Sequence, residues 1–283
     1  MLKGLAWGGD FAGRIKREKF RVHSVFRAVC NLSSGQGKPL LALVSERDAL
    51  APNVLWVGQS RWADLIRPGD EVEATAGGVG CGDVMIDCTG VVLYRRAPCH
   101  SPCLEDDTLE QVRNWLEVQA PGFALAQSRL ASLLRRGLQE ENDKLLRAAL
   151  KGLLGAGPGL TPCGDDFAAG ALHAYVRARE REAPFPRRLP GIVAEAALAT
   201  NEISRTMLWY AARGQGPAYM AEVVDGILSG APGVLLAANR LRQVGSSSGL
   251  YLLAGILLGC ETTGTREQMC DGRENPGQAQ HLL

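Results

Sequence analysis

The spacing of hydrophobic residues changes character near residue 105. From Phe20 to Cys30 alternate residues fall on one face, which is typical of a half-buried strand. That run ends at the turn-forming stretch NLSSGQGKP. Shorter aliphatic runs over 40–44, 54–57 and 84–94 are bounded by Pro, Asn or Gly, so we predict further strands there.

These runs predict a small, mostly antiparallel β domain over residues 1–104, with a barrel as one arrangement. One or two helical turns are expected within 60–66, and the pattern over 84–94 is consistent with one or two strands. The four residues from Thr108 to Gln111 then have the form of a capping box, which marks a helix start.

Helical spacing continues from this point almost to the end of the chain. The predicted helices are 108–119, 122–137, 140–154, 164–182, 190–212, 217–230, 232–243 and 248–260. The stretch REAPFPRRLPG interrupts them, and the last helix is apolar on all sides, as expected inside a bundle. The fold class is therefore α+β, with a helical bundle over 105–262 and a polar tail, predicted to be disordered, over 263–283.

Composition narrows the classes of partner. A net charge of +1 gives no reason to expect nucleic acid or an anionic membrane surface. The longest apolar run, 250–258, is shorter than the ~20 residues that a membrane span needs. The opening residues lack the apolar core of a secretory signal, so we expect a cytoplasmic protein.

The cysteines do not predict a metal centre. Cys81, Cys88, Cys99 and Cys103 come close together in the sequence, with His100 between the last two. Structural zinc sites draw on tight cysteine pairs, and here only the last two cysteines are tightly spaced. We interpret these cysteines as scattered thiols.

The stretch GAGPGLTPCGDDF, residues 155–167, points to an anion site. Gly157 and Gly159 can adopt positive φ and turn backbone amides toward a ligand, and Gly164 follows in the same stretch. Thr161 before Pro162 resembles an N-cap followed by proline at the first helical position. Such a loop would bring free N–H groups and the positive end of a helix to one place.

The paired carboxylates of Asp165 and Asp166 allow three interpretations. They favour a helix start simply by their charge. They could instead hold a divalent cation such as Mg²⁺ that bridges to a phosphate, or one of them could orient a substrate amide. The loop has neither the lysine of a Walker A motif nor the spacing of a dinucleotide fingerprint, and a purely structural Gly/Pro connector is the remaining alternative.

Two later stretches carry similar chemistry. In NEISRT we place Asn201 and Ser204 on one face of a predicted helix, where they would contact substrate or pack against a neighbouring helix. In VGSSSGLYLLAG, the residues Ser247, Ser248 and Gly249 precede the all-apolar helix and form either a second anion cradle or an ordinary helix cap. His173, two turns after Asp166, is interpreted as structural.

Together, GAGPGLTPCGDDFAAG, NEISRTMLWYAARGQG and VGSSSGLYLLAGILLG resemble a bacterial family whose hallmark is close to GLGPGLTPSGDDFLAG. Its members include an oxamate carbamoyltransferase subunit of allantoin degradation. The resemblance implies carbamoyl transfer between carbamoyl phosphate and oxamate, giving oxalurate and phosphate, within a complex of different subunits. It also implies that the glycine, hydroxyl and aspartate residues named above contact the small anionic substrates.

The chain departs from the family pattern at three places. Cys163 stands where serine is usual, Ser246 replaces a histidine, and Leu250 and Tyr251 stand where an acidic residue is common. Two other functions therefore remain open: an ATP- or acyl-phosphate-dependent kinase or ligase, and a non-catalytic ligand-binding subunit.

Overall fold

The computed structural model describes residues 1–35, 37–58, 61–96, 106–120, 128–157, 159–179 and 183–263. Its strands are β1 (Leu2–Gly8), β2 (Phe20–Val25), β3 (Val29–Ser33), β4 (Leu41–Val44), β5 (Val54–Val57), β6 (Glu71–Ala74), β7 (Gly78–Cys81), β8 (Val84–Asp87) and β9 (Val92–Tyr94). Its helices are α1 (Gly9–Arg14), α2 (Asp106–Gln119), α3 (Arg129–Gln139), α4 (Asp143–Leu153), α5 (Cys163–Ala178), α6 (Pro184–Ala196), α7 (Glu202–Ala211), α8 (Ala218–Ser229), α9 (Val234–Arg242) and α10 (Ser248–Glu261).

Eight of the strands close into a barrel. Their order is β5-β4-β3-β2-β6-β7-β8-β1, and β1 pairs back to β5 with Gly4 opposite Val57. The first half of β1 pairs with β8 and the second half with β9, both parallel, so β9 extends the seam that β8 begins. Most of the pairings are antiparallel, as predicted, and closure leaves the barrel without a free edge.

The barrel interior is filled by aromatic and aliphatic side chains. Phe11 on α1 and Trp62 in a 3₁₀ turn are fully buried beside inward-facing residues of the strands. Strand β4 is buried on both faces, because Leu41 and Leu43 point into the barrel while Ala42 and Val44 join a separate cluster. The outward face of β4 packs against Leu50, Ala51 and Val54, and it faces α7 across a cavity.

Helices α5 and α10 form the centre of the helical part. α5 is buried along nearly its whole length, and α10 is apolar on all sides. Three glycines allow their backbones to approach: a Cβ on Gly170 would lie 2.2 Å from the Leu252 carbonyl oxygen, and one on Gly255 would lie 2.1 Å from that of Phe167. Gly259 has the same relationship to Ala171. Gly255 and Gly259 of the third motif therefore serve helix packing, as does Gly170 at the end of the first motif.

Polar contacts fix the helical part against the barrel. The Thr206 hydroxyl on α7 accepts a hydrogen bond from the Leu40 N–H at 2.9 Å. The Tyr210 hydroxyl, also on α7, donates to the Asp10 carboxylate at 2.9 Å. These contacts place the second motif at the junction between the two parts.

The α+β architecture confirms the predicted fold class, and two predicted elements were wrong in detail. The single strand predicted from Phe20 to Cys30 is a hairpin, because Phe26 donates to the Val29 carbonyl and turns the chain. The helix predicted over 190–212 is two helices, α6 and α7, separated by a 3₁₀ turn at Ala197–Ala199 and an extended Thr200.

Prolines do not interrupt α6. Pro184 and Pro186 lie in its first turn, where no N–H is required, and Pro190 lies within the helix. No helix in the described ranges is both long and apolar enough to cross a bilayer. The predicted domain boundaries stay predictions. Cys99, His100, Cys103 and most of the predicted tail lie outside the described residues, although Thr263 is buried at the end of α10.

Candidate functional site

The glycine-rich loop connects α4 to the buried N-terminus of α5. Gly155, Gly157 and Gly159 all have positive φ, of 77°, 110° and 103°. A Cβ on Gly157 would also lie 2.6 Å from the Cys163 sulfur. Both the positive φ and the lack of space for a side chain therefore require glycine at this position. Pro162 is the N-cap of α5, one residue later than the Thr161 that we predicted, because Thr161 uses its hydroxyl elsewhere.

Several backbone N–H groups of the glycine-rich loop have no hydrogen-bond acceptor within the described part of the protein. Within the described part of the chain, the N–H groups of Gly157, Gly159, Leu160 and Thr161 donate to no protein group. All four residues lie at or near the surface. Since backbone N–H groups are normally paired, these donors are available to a ligand or to water.

Asp165 is fully buried and holds this loop in place. Its Oδ1 accepts a hydrogen bond from the Gly155 N–H at 2.7 Å, and its Oδ2 accepts from the Thr200 hydroxyl at 2.5 Å. Charge-assisted bonds of this kind are worth roughly 1.5–3 kcal/mol each. The carboxylate thus ties the start of the loop to the segment before α7.

Asp166 lies beside the point where the two glycine-rich loops meet. Its Oδ2 accepts from the Thr161 hydroxyl at 3.2 Å, and that hydroxyl lies 2.9 Å from the Ser248 hydroxyl at the start of α10. Burial, with a smaller contribution from the charge of Asp165, raises the pKa of Asp166 to about 7, against the opposing hydrogen bonds of Ser248 and Thr161. This carboxyl group can therefore change protonation state near neutral pH.

The second loop also presents free donors. Ser246 and Ser247 are exposed, and neither their N–H groups nor that of Ser248 has an acceptor among the described residues. Gly249 has a different role, because a Cβ there would lie 2.0 Å from the Leu241 carbonyl oxygen. A Cβ on Gly164 would likewise lie 2.0 Å from the Leu153 carbonyl oxygen. Both glycines allow close helix packing next to the loops.

Asn201 and Ser204 do not share a mid-helix face as we predicted. Asn201 is the N-cap of α7, and its Oδ1 accepts from the N–H groups of Ile203 and Ser204. Its Nδ2 donates to the Leu160 carbonyl at 2.7 Å, which fixes the glycine-rich loop from a third direction. The Ser204 hydroxyl is fully buried without a hydrogen-bond partner in the described residues.

Two tyrosines near Asp166 were not predicted from the sequence. Burial and then the charge of Asp166 raise the pKa of Tyr219, and burial followed by the neighbouring Cys163 raises that of Tyr251. Both hydroxyls therefore remain protonated at neutral pH and can donate hydrogen bonds. Tyr251 lies two residues after the SSSG stretch, whereas nothing in the sequence near Tyr219 marks that tyrosine.

An apolar cavity of about 210 Å³ begins at Thr161 and runs between the barrel and α7. Ala42 and Val44 on the outer face of β4 form one wall, and Met207 and Tyr219 contribute to the other. The meeting point of the loops is thus connected to the junction between the two parts of the chain.

The described residues contain no group of three or more His, Cys, Asp or Glu that could hold a metal ion. Asp165 and Asp166 would supply two carboxylates at most, and both oxygens of Asp165 already accept hydrogen bonds, from Gly155 and Thr200. The Mg²⁺ ion stays a prediction, and phosphate oxygens and water would have to complete its coordination.

Comparison with known proteins agrees with this arrangement of motifs. A family model described as oxamate carbamoyltransferase subunit AllH matches residues 153–260, which include both glycine-rich loops and the start of α7. A model of the AllH family N-terminal domain matches residues 3–93, which include the barrel strands. No solved structure gives a significant match. The chain therefore belongs to the AllH family of oxamate carbamoyltransferase subunits.

Proposed function

We propose that this chain is the subunit of an oxamate carbamoyltransferase-like enzyme that binds carbamoyl phosphate where the two glycine-rich loops meet. The single observation that carries the proposal is the contact between the Thr161 and Ser248 hydroxyls, 2.9 Å apart, beside the buried carboxyl group of Asp166. Free N–H groups from both loops surround this contact, and such donors favour a small anion.

In the proposed reaction, the amide nitrogen of oxamate attacks the carbonyl carbon of carbamoyl phosphate. A carbon–nitrogen bond forms, the bond from that carbon to the bridging phosphate oxygen breaks, and the products are oxalurate and phosphate. The nitrogen loses one proton, and the departing phosphate gains one. The N–H groups of Gly157, Gly159 and the serine loop hold the phosphate, and hydroxyl donors stabilise the developing charge.

Asp166 acts through the hydroxyls of Thr161 and Ser248, because its own side chain is buried beneath them. With a pKa near 7, it can accept a proton passed along this chain when the amide nitrogen is deprotonated. Asp165 and Asn201 are positioning residues, since they hold the loop by its Gly155 N–H and its Leu160 carbonyl.

Much of the rate would come from holding the two reactants together. The family description names a subunit, so we expect the second substrate to be supplied by, or bound against, other subunits. Ser246, which stands where the family pattern that the chain resembles has histidine, is exposed, and this agrees with a partner that completes the site.

The test is a transfer assay with the purified chain alone, with the partner subunits alone, and with the complex, measuring oxalurate from carbamoyl phosphate and oxamate. We expect activity only in the complex, and its loss by about 10²-fold or more when Ser248→Ala and Thr161→Val are combined. Ser132→Ala and Thr75→Val, which alter exposed hydroxyls far from the loops in sequence, are matched controls.

Three outcomes would overturn the proposal. Full activity of the partner subunits without this chain would exclude a catalytic contribution. Unchanged activity of the combined variant would remove the loops from the site. ATP-dependent phosphoryl transfer by the complex, with no oxalurate formed, would favour the kinase or ligase alternative.

A further inference from the structure

A second, polar cavity of about 310 Å³ lies at the junction between the barrel and the helical part. It shares Gln215 and Gly216 with the apolar cavity described above, so this short segment after α7 borders both. Because water occupies about 30 Å³ per molecule in the liquid, the volume is sufficient for a small organic molecule. Nothing in the proposed transfer reaction uses this space.

The charges that line the cavity favour an anion. Arg95, Arg96 and Arg177 line the cavity, and Asp10 supplies the one carboxylate among the described lining residues. Asp225 pairs with Arg96 at 2.7 Å and also with Arg177. Three positive and two negative groups leave one positive charge, which matches a monoanion. Arg95 is exposed and forms no ion pair within the described ranges, so its charge is available.

His173 on α5 supplies the second, independent observation. Its side chain is completely buried and borders the cavity. Neither ring nitrogen has a hydrogen-bond partner of normal geometry among the described residues, although the Gln215 backbone lies beside the ring and slightly raises the pKa of His173. Burial and the neighbouring charge of Arg177 lower the pKa of His173 to about 3, so the ring is neutral. A neutral imidazole offers one donor and one acceptor. Buried polar groups without partners are rare in folded proteins, and they call for a ligand or water.

The backbone of Gly216 lies directly against the ring of His173. A Cβ there would lie 3.3 Å from Nδ1 of His173, tight enough to force the neighbouring atoms to shift. The Gly216 N–H also has no acceptor in the part of the chain that the structure describes. The cavity therefore combines a guanidinium side, which suits a planar carboxylate, with a neutral hydrogen-bonding side that suits an amide or hydroxyl.

We propose that this cavity is a binding site for a small organic monoanion, whose carboxylate is held by Arg95 and Arg96 and whose amide or hydroxyl group is bound by His173. The site is separate from the meeting point of the glycine-rich loops. His173 and Asp166 are seven residues apart on α5, which corresponds to ~10 Å along a helix axis.

The test uses the imidazole signals of the ¹⁵N-labelled full-length chain, which has four histidines, with His173→Leu identifying the signal of interest. The probes are oxamate, which carries a carboxylate and an amide, acetate, which carries the carboxylate alone, and inorganic phosphate. We expect oxamate to shift the His173 signal most strongly, acetate weakly and phosphate not at all. Arg95→Gln should weaken oxamate binding at this signal by about tenfold or more, because a charge-assisted contact is lost.

Arg17→Gln is the matched control, since Arg17 is an exposed barrel-region arginine outside the cavity, and it should leave binding unchanged. His173→Leu should fold normally and melt at the same or a higher temperature, because a buried group without partners is replaced by an apolar one of similar size. A His173 signal that does not respond to saturating oxamate would overturn the proposal. An Arg95→Gln variant that binds as tightly as the wild type, or a His173→Leu variant that is strongly destabilised, would also contradict it.

Discussion

The hydroxyl oxygens of Thr161 and Ser248 lie 2.9 Å apart although 87 positions separate the residues in the chain. The contact joins the loop before α5 to the loop before α10, and these two helices are the closest-packed pair in the helical part, with Gly170 and Gly255 at their interface. The packing of two glycine-bearing helices thus determines where the chemistry of both loops comes together.

The Thr161–Ser248 contact should be measurable as a coupling energy. Thr161→Val and Ser248→Ala each remove one hydroxyl, and the double variant should lose about 0.5–1.5 kcal/mol less stability than the sum of the single variants. Urea unfolding of the four proteins of this double-mutant cycle measures the coupling. Strict additivity would show that the two hydroxyls do not interact in solution.

Asp166 should make folding less favourable as pH rises from about 4 to 7. Its pKa is raised in the folded state, so the folded chain binds more protons than the unfolded chain across that interval, and stability falls as pH increases. Asp166→Asn removes this effect. The variant should therefore gain stability relative to the wild type between pH 4 and pH 7, by an amount on the order of 4 kcal/mol at about 1.4 kcal/mol per pKa unit.

Chemical denaturation of both proteins across this pH interval provides the measurement. His173 has the opposite effect on the wild type, because its pKa is lowered on folding and its contribution to stability is lost as pH falls from 6.5 toward 3. Since His173 is present in both proteins, its contribution cancels in the comparison. A stability difference independent of pH would contradict the assignment for Asp166.

Loss of the Asp165 carboxylate should release the glycine-rich loop. Asp165→Ala leaves the Gly155 N–H and the Thr200 hydroxyl without their acceptor, and at about 1.5–3 kcal/mol for each bond we expect a cost of about 3–6 kcal/mol. Hydrogen exchange should accelerate at the Gly155 amide before it does elsewhere. Thr200→Val, which removes only one of the two bonds, should show a smaller effect. Unchanged exchange at Gly155 would argue against this clamp.

Close packing of α5 and α10 predicts a sharp difference between two glycine-to-alanine substitutions. Gly255→Ala places a Cβ against the Phe167 carbonyl and should destabilise the chain by about 1–3 kcal/mol or more, as overpacking does. Gly191→Ala, on the exposed face of α6 with no atom nearby, should be neutral or stabilise by about 0.4–1 kcal/mol. Thermal unfolding compares them, and similar melting temperatures for the two variants would contradict the packing.

Local chemistry was readable from the sequence, while contacts between distant segments were not. Glycine, proline and acidic residues around Gly157 and Asp165 indicated a loop before a helix, because each affects φ or the helix dipole locally. Nothing in the local sequence distinguished the roles of the two aspartates. Asp165 turns toward Gly155 and Thr200, and Asp166 toward Thr161, and these partners are chosen by tertiary packing.

The helical spacing of apolar residues continues through Thr200, so it gave no sign that the predicted helix ends there. The pattern over 190–212 satisfied one long helix, so Asn201 was placed within it, although the order Thr-Asn-Glu is also a good N-cap signal. Strand β1 was missed for a different reason. Leu2–Gly8 is short and its partners β5, β8 and β9 are distant in sequence, so its stability comes from barrel closure rather than local propensity.

Isothermal titration of the purified chain with carbamoyl phosphate tests the central claim most directly, with wild type compared with the Thr161→Val, Ser248→Ala double variant and with the Ser132→Ala control. We predict saturable binding to the wild type and the control, and binding weaker by about tenfold or more in the double variant, because hydrogen bonds to a charged ligand are worth about 1.5–3 kcal/mol. Equal affinity of the double variant and the wild type, or no binding to the wild type, would contradict the account.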